Sequence, residues 1–290
     1  MDIKLFEYFL VIAREENMSK AATILHVSQP TLSRQIMQLE EELGKPLFIR
    51  GSRNLQLTNE GYIFKQRAEE MVTLANKIKQ EINSESTDLV GDIYIGAADI
   101  DDFDDFAKVI ALFHKKHPKV CFHIKTYDSD QIVELVDRGV IDIGFAVEPI
   151  EKERFHYKKM TSKTRWGLLV KEDHPLAKYN TIQIEQCRNL DVIVTTRAGI
   201  VSELTNWFGE VYKTLNIVGT FNLINNAIKL AKHDMGSILC NEKSYYESLG
   251  MKFLPLDPVL YVEPILIWKK EIYSPLVQSF IQKLNYSKNE

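Results

Sequence analysis

The sequence predicts an α/β chain in three parts: an N-terminal winged helix-turn-helix, one long linker helix, and two α/β lobes. Three observations predict it. Residues 19–57 read as two short helices, a tight turn and a hairpin. Phe64, Ala68, Met71, Ala75, Ile78 and Ile82 recur at alternating steps of four and three, the period of a helix-pairing seam. Beyond a polar break at 83–88, apolar runs of strand length alternate with amphipathic helical ones, the order that builds a parallel sheet with right-handed crossovers.

The N-terminal elements follow from side-chain placement. Residues 3–16 form a helix with Leu5, Phe6, Phe9, Leu10 and Ala13 on one face, which closes a small core. Ala21, Ala22 and Leu25 give the next helix a small apolar face that another helix can cross closely. Ser28 is placed to cap the third helix, its hydroxyl accepting a free N–H of the first turn. Pro30 follows inside that turn, where a missing N–H costs nothing. Leu32, Ile36, Leu39 and Leu43 then face inward, leaving Gln29, Thr31, Ser33, Arg34 and Gln38 outside. A crossed helix pair whose second member has a polar outer face is suited to the DNA major groove. Gly44 ends that helix. Residues 47–49 and 55–57 are strand candidates around a turn at Gly51 and Ser52. Arg50 and Arg53 flank this turn and suit a phosphate backbone or minor groove.

The run Ser28-Gln29-Pro30-x-Leu32-Ser33-Arg34-Gln35-Ile36-x-x-Leu39-Glu40-x-x-Leu43-Gly44-x-x-Leu47-Phe48-x-Arg50-x-x-Arg53-x-x-x-Leu57-Thr58-x-x-Gly61 resembles the signature of the LysR-type transcriptional regulators. The resemblance implies a regulator of double-stranded DNA, with Gln29, Pro30, Thr31, Ser33 and Arg34 reading or positioning the major groove. Arg34 is the best candidate for a bidentate guanine contact, worth about 1–3 kcal/mol of discrimination. Arg50 and Arg53 grip backbone or minor groove. A two-fold dimer through the linker helix requires inverted-repeat sites. The resemblance further implies a homotetramer that bends DNA, and a periplasmic-binding-protein-like effector domain whose closure changes the bend. Met37 stands where many relatives carry a basic residue, and Glu60 where Ala is common.

Composition bounds this reading. The chain has 290 residues, 45% hydrophobic and 26% charged, enough for about two domains. Net charge is −4, so bulk charge does not argue for nucleic acid. Nor does the N-terminal part: Lys4, Arg14, Lys20, Arg34, Lys45, Arg50 and Arg53 are matched by Asp2, Glu7, Glu15, Glu16, Glu40, Glu41 and Glu42. The DNA reading rests on where the arginines sit, with modest non-specific affinity expected. The first residues lack a basic segment and an apolar run long enough for export. No stretch approaches the ~20 apolar residues of a membrane span, so a soluble, cytoplasmic protein is expected.

The expected boundaries are 1–58 for the winged domain, 59–90 for the linker helix and 91–290 for the effector domain. The linker helix, of roughly 28 residues, would span about 42 Å. Lobe one takes 91–161 and 267–290, lobe two 162–266, with crossings at 161–162 and 265–267. Strands are expected at 92–97, 120–126, 141–146, 166–170, 192–195, 217–221 and 237–239, and a return segment at 259–268. Helices are expected at 103–117, 130–138, 201–212, 225–233 and 276–284.

Ligands in open α/β sheets bind beyond the carboxyl ends of strands. That rule selects Ala98, Asp99, Asp101, Tyr127, Asp128 and Val147 from lobe one, and Thr195, Thr196, Arg197 and Asn222 from lobe two. Relatives often hold a small anion there with hydroxyls and helix-N-terminal amides. Here Asp99, Asp101, Asp102, Asp104 and Asp105 crowd the position, and carboxylates would repel an anion. Two readings stand: the acids favour a helix N-terminus and face water, or Asp99 and Asp101 anchor a cationic, polyhydroxylated or metal-bridged effector. An amino-acid-like ligand, with its carboxylate on Arg197, Thr195 and Thr196, would satisfy both lobes.

No resident cofactor or metal is expected. His114 and His117 lie one helical turn apart, but Lys115 and Lys116 intervene and no Cys or carboxylate is set to complete a site. Cys121, Cys187 and Cys240 show no metal-type spacing and are expected to be buried thiols. No nucleophile elbow or phosphate-binding glycine loop appears, so an enzyme is not expected. The rival from another class is a cytoplasmic small-molecule-binding protein without specific DNA binding. The absent export signal and the intact helix-turn-helix oppose it.

Overall fold

A computed structural model describes residues 2–49, 55–82, 89–272 and 274–286. The chain divides into two compact units, Met1–Glu85 and Ser86–Glu290. Arg50, Gly51, Ser52 and Arg53, and the polar break at 83–88, lie outside the described residues.

In the first unit, each helix starts on a side chain that accepts an otherwise unpaired N–H. Asp2 does so for α1 (Ile3–Glu15), Asn17 for α2 (Met18–Ile24) and Ser28 for α3 (Gln29–Leu43), accepting from Lys4, Lys20 and Thr31 at 3.1, 3.0 and 3.3 Å. Gly44, at φ +66°, ends α3, a conformation that a Cβ disfavours. Leu32, Ile36 and Leu39 pack with Phe9, Ile12, Ala21 and Ala22 into one core. β1 (Phe48–Ile49) pairs antiparallel with β2 (Gln56–Leu57). Glu40 of α3 accepts the N–H groups of Leu47 and Phe48 at 2.8 and 3.1 Å, tying this hairpin to the helix before it.

Thr58 starts α4 (Asn59–Ile82), accepting from Gly61 N at 2.9 Å and donating to Pro46 O at 2.8 Å. The helix has 24 residues, about 36 Å, against the expected 28. Phe64 stacks edge-on against Phe6 and Phe9, with centroids 5.2 and 4.8 Å apart, and Ala68 is buried beside them. Farther along the same seam, Met71, Ile78 and Ile82 are exposed.

The second unit holds two sheets. One has five strands in the order β4-β3-β5-β14-β6: β3 (Gly91–Ala97), β4 (Val120–Thr126), β5 (Ile143–Val147), β6 (His156–Lys159) and β14 (Pro264–Trp268). β4, β3 and β5 are parallel, while β14 runs antiparallel to β5 and β6. Helices α5 (Asp104–Lys116), α6 (Ser129–Asp137) and α9 (Pro275–Tyr286) belong to this lobe. The other sheet runs β10-β9-β11-β7-β12-β8, with β13 also paired to β7. Its strands are β7 (Thr164–Lys171), β8 (Ile182–Gln183), β9 (Asp191–Thr195), β10 (Asn216–Phe221), β11 (Ser237–Asn241), β12 (Met251–Asp257) and β13 (Tyr261–Val262), with α7 (Ala198–Phe208) and α8 (Ile224–Lys232) between.

Three departures from the sequence reading have local causes. The helix expected to reach 212 stops at Phe208, because Gly209 turns the chain at φ +54°, and tighter turns carry it to Thr214. The return segment breaks at Glu263. Residues 264–266, assigned to lobe two, lie in the first sheet, where every residue of β14 is buried between β5 and β6. β6, β8 and β12 were not anticipated. The first two are short, and β12 carries Pro255, which argues against a strand on sequence alone. At the return, Glu263 accepts from Lys159 at 2.9 Å and Lys163 at 2.5 Å, and these ammonium groups hold its carboxyl down at about 2.

Gly61 has no room for a side chain: a Cβ would lie 2.2 Å from Leu47 O. Gly61→Ala is expected to destabilise the first unit by about 1–3 kcal/mol, the range for overpacking. Urea unfolding monitored by circular dichroism checks this, and an unchanged midpoint contradicts it.

Candidate nucleic-acid interface and effector cavity

The outer face of α3 is largely polar because Leu32, Ile36 and Leu39 are consumed by the core. Gln29, Pro30, Thr31 and Arg34 are exposed and Ser33 is half-buried. The Thr31 hydroxyl lies 2.7 Å from Ser28 Oγ, so part of its hydrogen-bonding capacity serves the helix cap. Met37, 37% exposed, continues the same surface.

In the second unit, the carboxyl ends of β3, β4 and β5 face those of β9, β10 and β11 across a cavity of about 90 Å³. From the first sheet Ala98, Asp99, Tyr127, Asp128 and Val147 line it; from the second, Thr195, Arg197 and Asn222 do. Two of the residues picked from the sequence do not. Thr196 is exposed, since successive residues of an extended chain point to opposite sides and its neighbours take the inward positions. The Asp101 carboxylate accepts Ser244 N–H at 2.5 Å, outside the cavity lining.

Asp104 and Asp105 are exposed in the first turn of α5, while the other acids of the cluster have partners in the second lobe. Asp99 pairs with Lys243, whose side chain is only 3% exposed, reaching from beyond β11. Asp102 accepts from the Thr164 hydroxyl, and Asp105 pairs with Lys108 at 3.0 Å. Asp99, Asp101 and Asp102 therefore serve as connections between the two lobes. Arg197 makes another. Its Nε donates to Asp130 at 3.2 Å and a terminal nitrogen donates to Pro149 O at 2.8 Å. Asp128 accepts from Gln131 N at 2.9 Å as the cap of α6.

Sequence reasoning missed Lys243, Asp130, Trp166 and Asn241. The carboxyl-end rule applied to the strand at 237–239 would have reached Asn241 and Lys243. Trp166 sits on β7 directly across from Asn241 on β11. Its Nε1 and the Asn241 Oδ1 are both buried and without a hydrogen-bond partner among the described residues. Both residues line the cavity, which thus offers one unused donor and one unused acceptor. Such groups are costly to leave unpaired.

Removing the Asp99 charge strands a buried ammonium, whereas removing Lys243 leaves a carboxylate that is 35% exposed. Asp99→Asn is expected to destabilise the second unit by about 1–3 kcal/mol, more than Lys243→Met does, and the double variant should recover part of the loss. Thermal unfolding of the three variants checks the order.

Known proteins carry the same two parts. The family model for the LysR substrate binding domain matches residues 87–287, and that for the bacterial regulatory helix-turn-helix protein of the lysR family matches residues 3–62. The Hca operon transcriptional activator HcaR of Escherichia coli is 26% identical over 289 residues, covering 97% of this chain and 96% of HcaR. The transcriptional activator IlvY of Haemophilus influenzae is 34% identical over 149 residues, 51% of each chain. Among solved structures, the LysR family regulator CbnR has the same fold, with a TM-score of 0.69, 19% identity and full coverage of both chains. CbnR complexed with its target DNA gives 0.67 at 20% identity, with 99% of this chain and 100% of CbnR covered. Two matched models that together span nearly the whole sequence place the chain in the LysR family of DNA-binding transcriptional regulators.

Proposed function

We propose that this LysR-type regulator binds inverted-repeat promoter sites as a homo-oligomer and responds to a small effector held in the cavity between its two lobes. In this reading residues 1–58 bind DNA, 59–90 link and dimerise, 91–290 sense the effector, and the protein acts in the cytoplasm. The observation that carries the DNA half is the partition of α3: Leu32, Ile36 and Leu39 are buried while Gln29, Thr31 and Arg34 are exposed. Gln29, Pro30, Thr31 and Ser33 position the helix, Arg34 reads a guanine edge, and Arg50 and Arg53 hold the backbone or minor groove.

Dimerisation is supported by α4, where Met71, Ile78 and Ile82 expose apolar surface at 48, 56 and 75% on one helical seam. A second copy of the helix is the partner such a seam fits. A pair of dimers, engaging two sites at once, is the tetramer proposed here. Effector binding is supported by the unpaired Trp166 Nε1 and Asn241 Oδ1 beside the Lys243–Asp99 pair. A ligand with an acceptor and a donor satisfies the first two. A zwitterion can, in addition, offer its carboxylate to Lys243 and its ammonium to Asp99.

DNase footprinting on DNA upstream of the protein's own gene tests the DNA half. Two-fold symmetric protection is expected, and Arg34→Ala should weaken it by about 1–3 kcal/mol, roughly 5- to 150-fold; absence of protection at low salt refutes the reading. A thermal-shift screen against anionic, zwitterionic and cationic metabolites tests the effector half, because a ligand of the folded state raises the midpoint. Zwitterions are expected to raise it, and a response confined to simple carboxylates would remove Asp99 from recognition. Ile78→Glu with Ile82→Glu should shift the protein to monomer in sedimentation velocity.

A further inference from the structure

The first sheet gathers a second set of donor groups at the amino-terminal half of β3 and β4, at the other end of the strands from the cavity. Parallel pairing puts Asp92 beside Cys121 and Tyr94 beside His123, and the two-residue period of the strands points all four side chains to one face. One ligand atom each from Asp92, Cys121 and His123 lies within 4.8 Å of the other two. Asp92 Oδ1 and His123 Nε2 are 2.9 Å apart. The His123 ring stacks on Tyr94, with centroids 4.8 Å apart and planes at 16°, which fixes the plane of the imidazole.

The cluster is also open. β4 is an edge strand of its sheet, Cys121 is exposed, and the His123 and Asp92 side chains are 42% and 31% exposed. We infer that Asp92, Cys121 and His123 form a binding site for a divalent transition metal, Zn²⁺ foremost, with the remaining coordination position open to water. The donor set carries the choice of ion. Thiolate and imidazole suit Zn²⁺, whereas Mg²⁺ and Ca²⁺ take oxygen ligands. Tetrahedral Zn²⁺ with bonds of about 2.0–2.3 Å sets its donors roughly 3.3–3.6 Å apart. With Asp92 Oδ1 and His123 Nε2 2.9 Å apart and all three atoms within 4.8 Å of one another, small side-chain rotations bring them to that spacing, with the metal replacing the Asp92–His123 hydrogen bond. Cys187 and Cys240 do not compete: both are buried, and burial pushes their thiols up to about 12.

The test uses the untagged full chain, reduced and stripped of metal, titrated with Co²⁺, whose thiolate charge-transfer band reports cysteine ligation. One Co²⁺ per chain is expected, with a band that Zn²⁺ displaces. Cys121→Ser should abolish the band, and His123→Ala and Asp92→Asn should each weaken Co²⁺ binding at least about tenfold, the minimum seen when even an outer-shell partner is lost. Zn²⁺ should raise the thermal midpoint of the parent chain but not of Cys121→Ser. Absence of the band, or its survival in Cys121→Ser, overturns the inference.

Discussion

A buried ammonium must meet a counter-charge, and Lys243 meets its own in Asp99 on the opposite sheet. That requirement fixes the carboxyl end of β3 against the segment beyond β11. Arg197, held by Asp130 and Pro149 O, repeats the arrangement a short way along. The cavity lies among these connections, so its shape depends on ion pairs that a polar ligand can exchange for its own groups. A purely apolar contact between the lobes would offer no such exchange.

The N-terminal unit solves a different problem: presenting one polar helix face without losing its core. α3 has little apolar surface to spare, since Leu32, Ile36 and Leu39 are all consumed. Its polar residues also serve the fold. Ser28 caps the helix, and Glu40 binds the backbone of β1. That carboxylate makes the placement of the hairpin a property of the helix itself.

Much of this was legible in the sequence because it is local. Caps such as Ser28 and Thr58, the stop at Gly44 and the buried face of α3 depend on residues within a few positions of one another. The parallel strands of the first sheet were legible for the same reason, from apolar residues clustered over strand-length segments. What the sequence hid depends on pairing across the chain. Lys243 looks like any surface lysine until Asp99, far away in sequence, is set against it. Glu263 likewise gives no sign of joining Lys159 and Lys163. Thr196 was misplaced by one residue of strand alternation. Cys121, expected to be buried, is exposed because β4 is an edge strand. Its approach to Asp92 comes from sheet register, which no spacing motif encodes.

The path of β14 has a consequence for how the chain is made. This strand lies between β5 and β6, yet it is synthesised only after the whole 164–262 stretch. As the chain leaves the ribosome, the facing edges of β5 and β6 have no partner until β14 emerges, although β5 is apolar and fully buried in the end state. The second sheet, continuous in sequence, can assemble during that interval. The unpaired edges are meanwhile a template for pairing with other chains, so the nascent protein spends much of its synthesis in need of protection that the finished fold does not require.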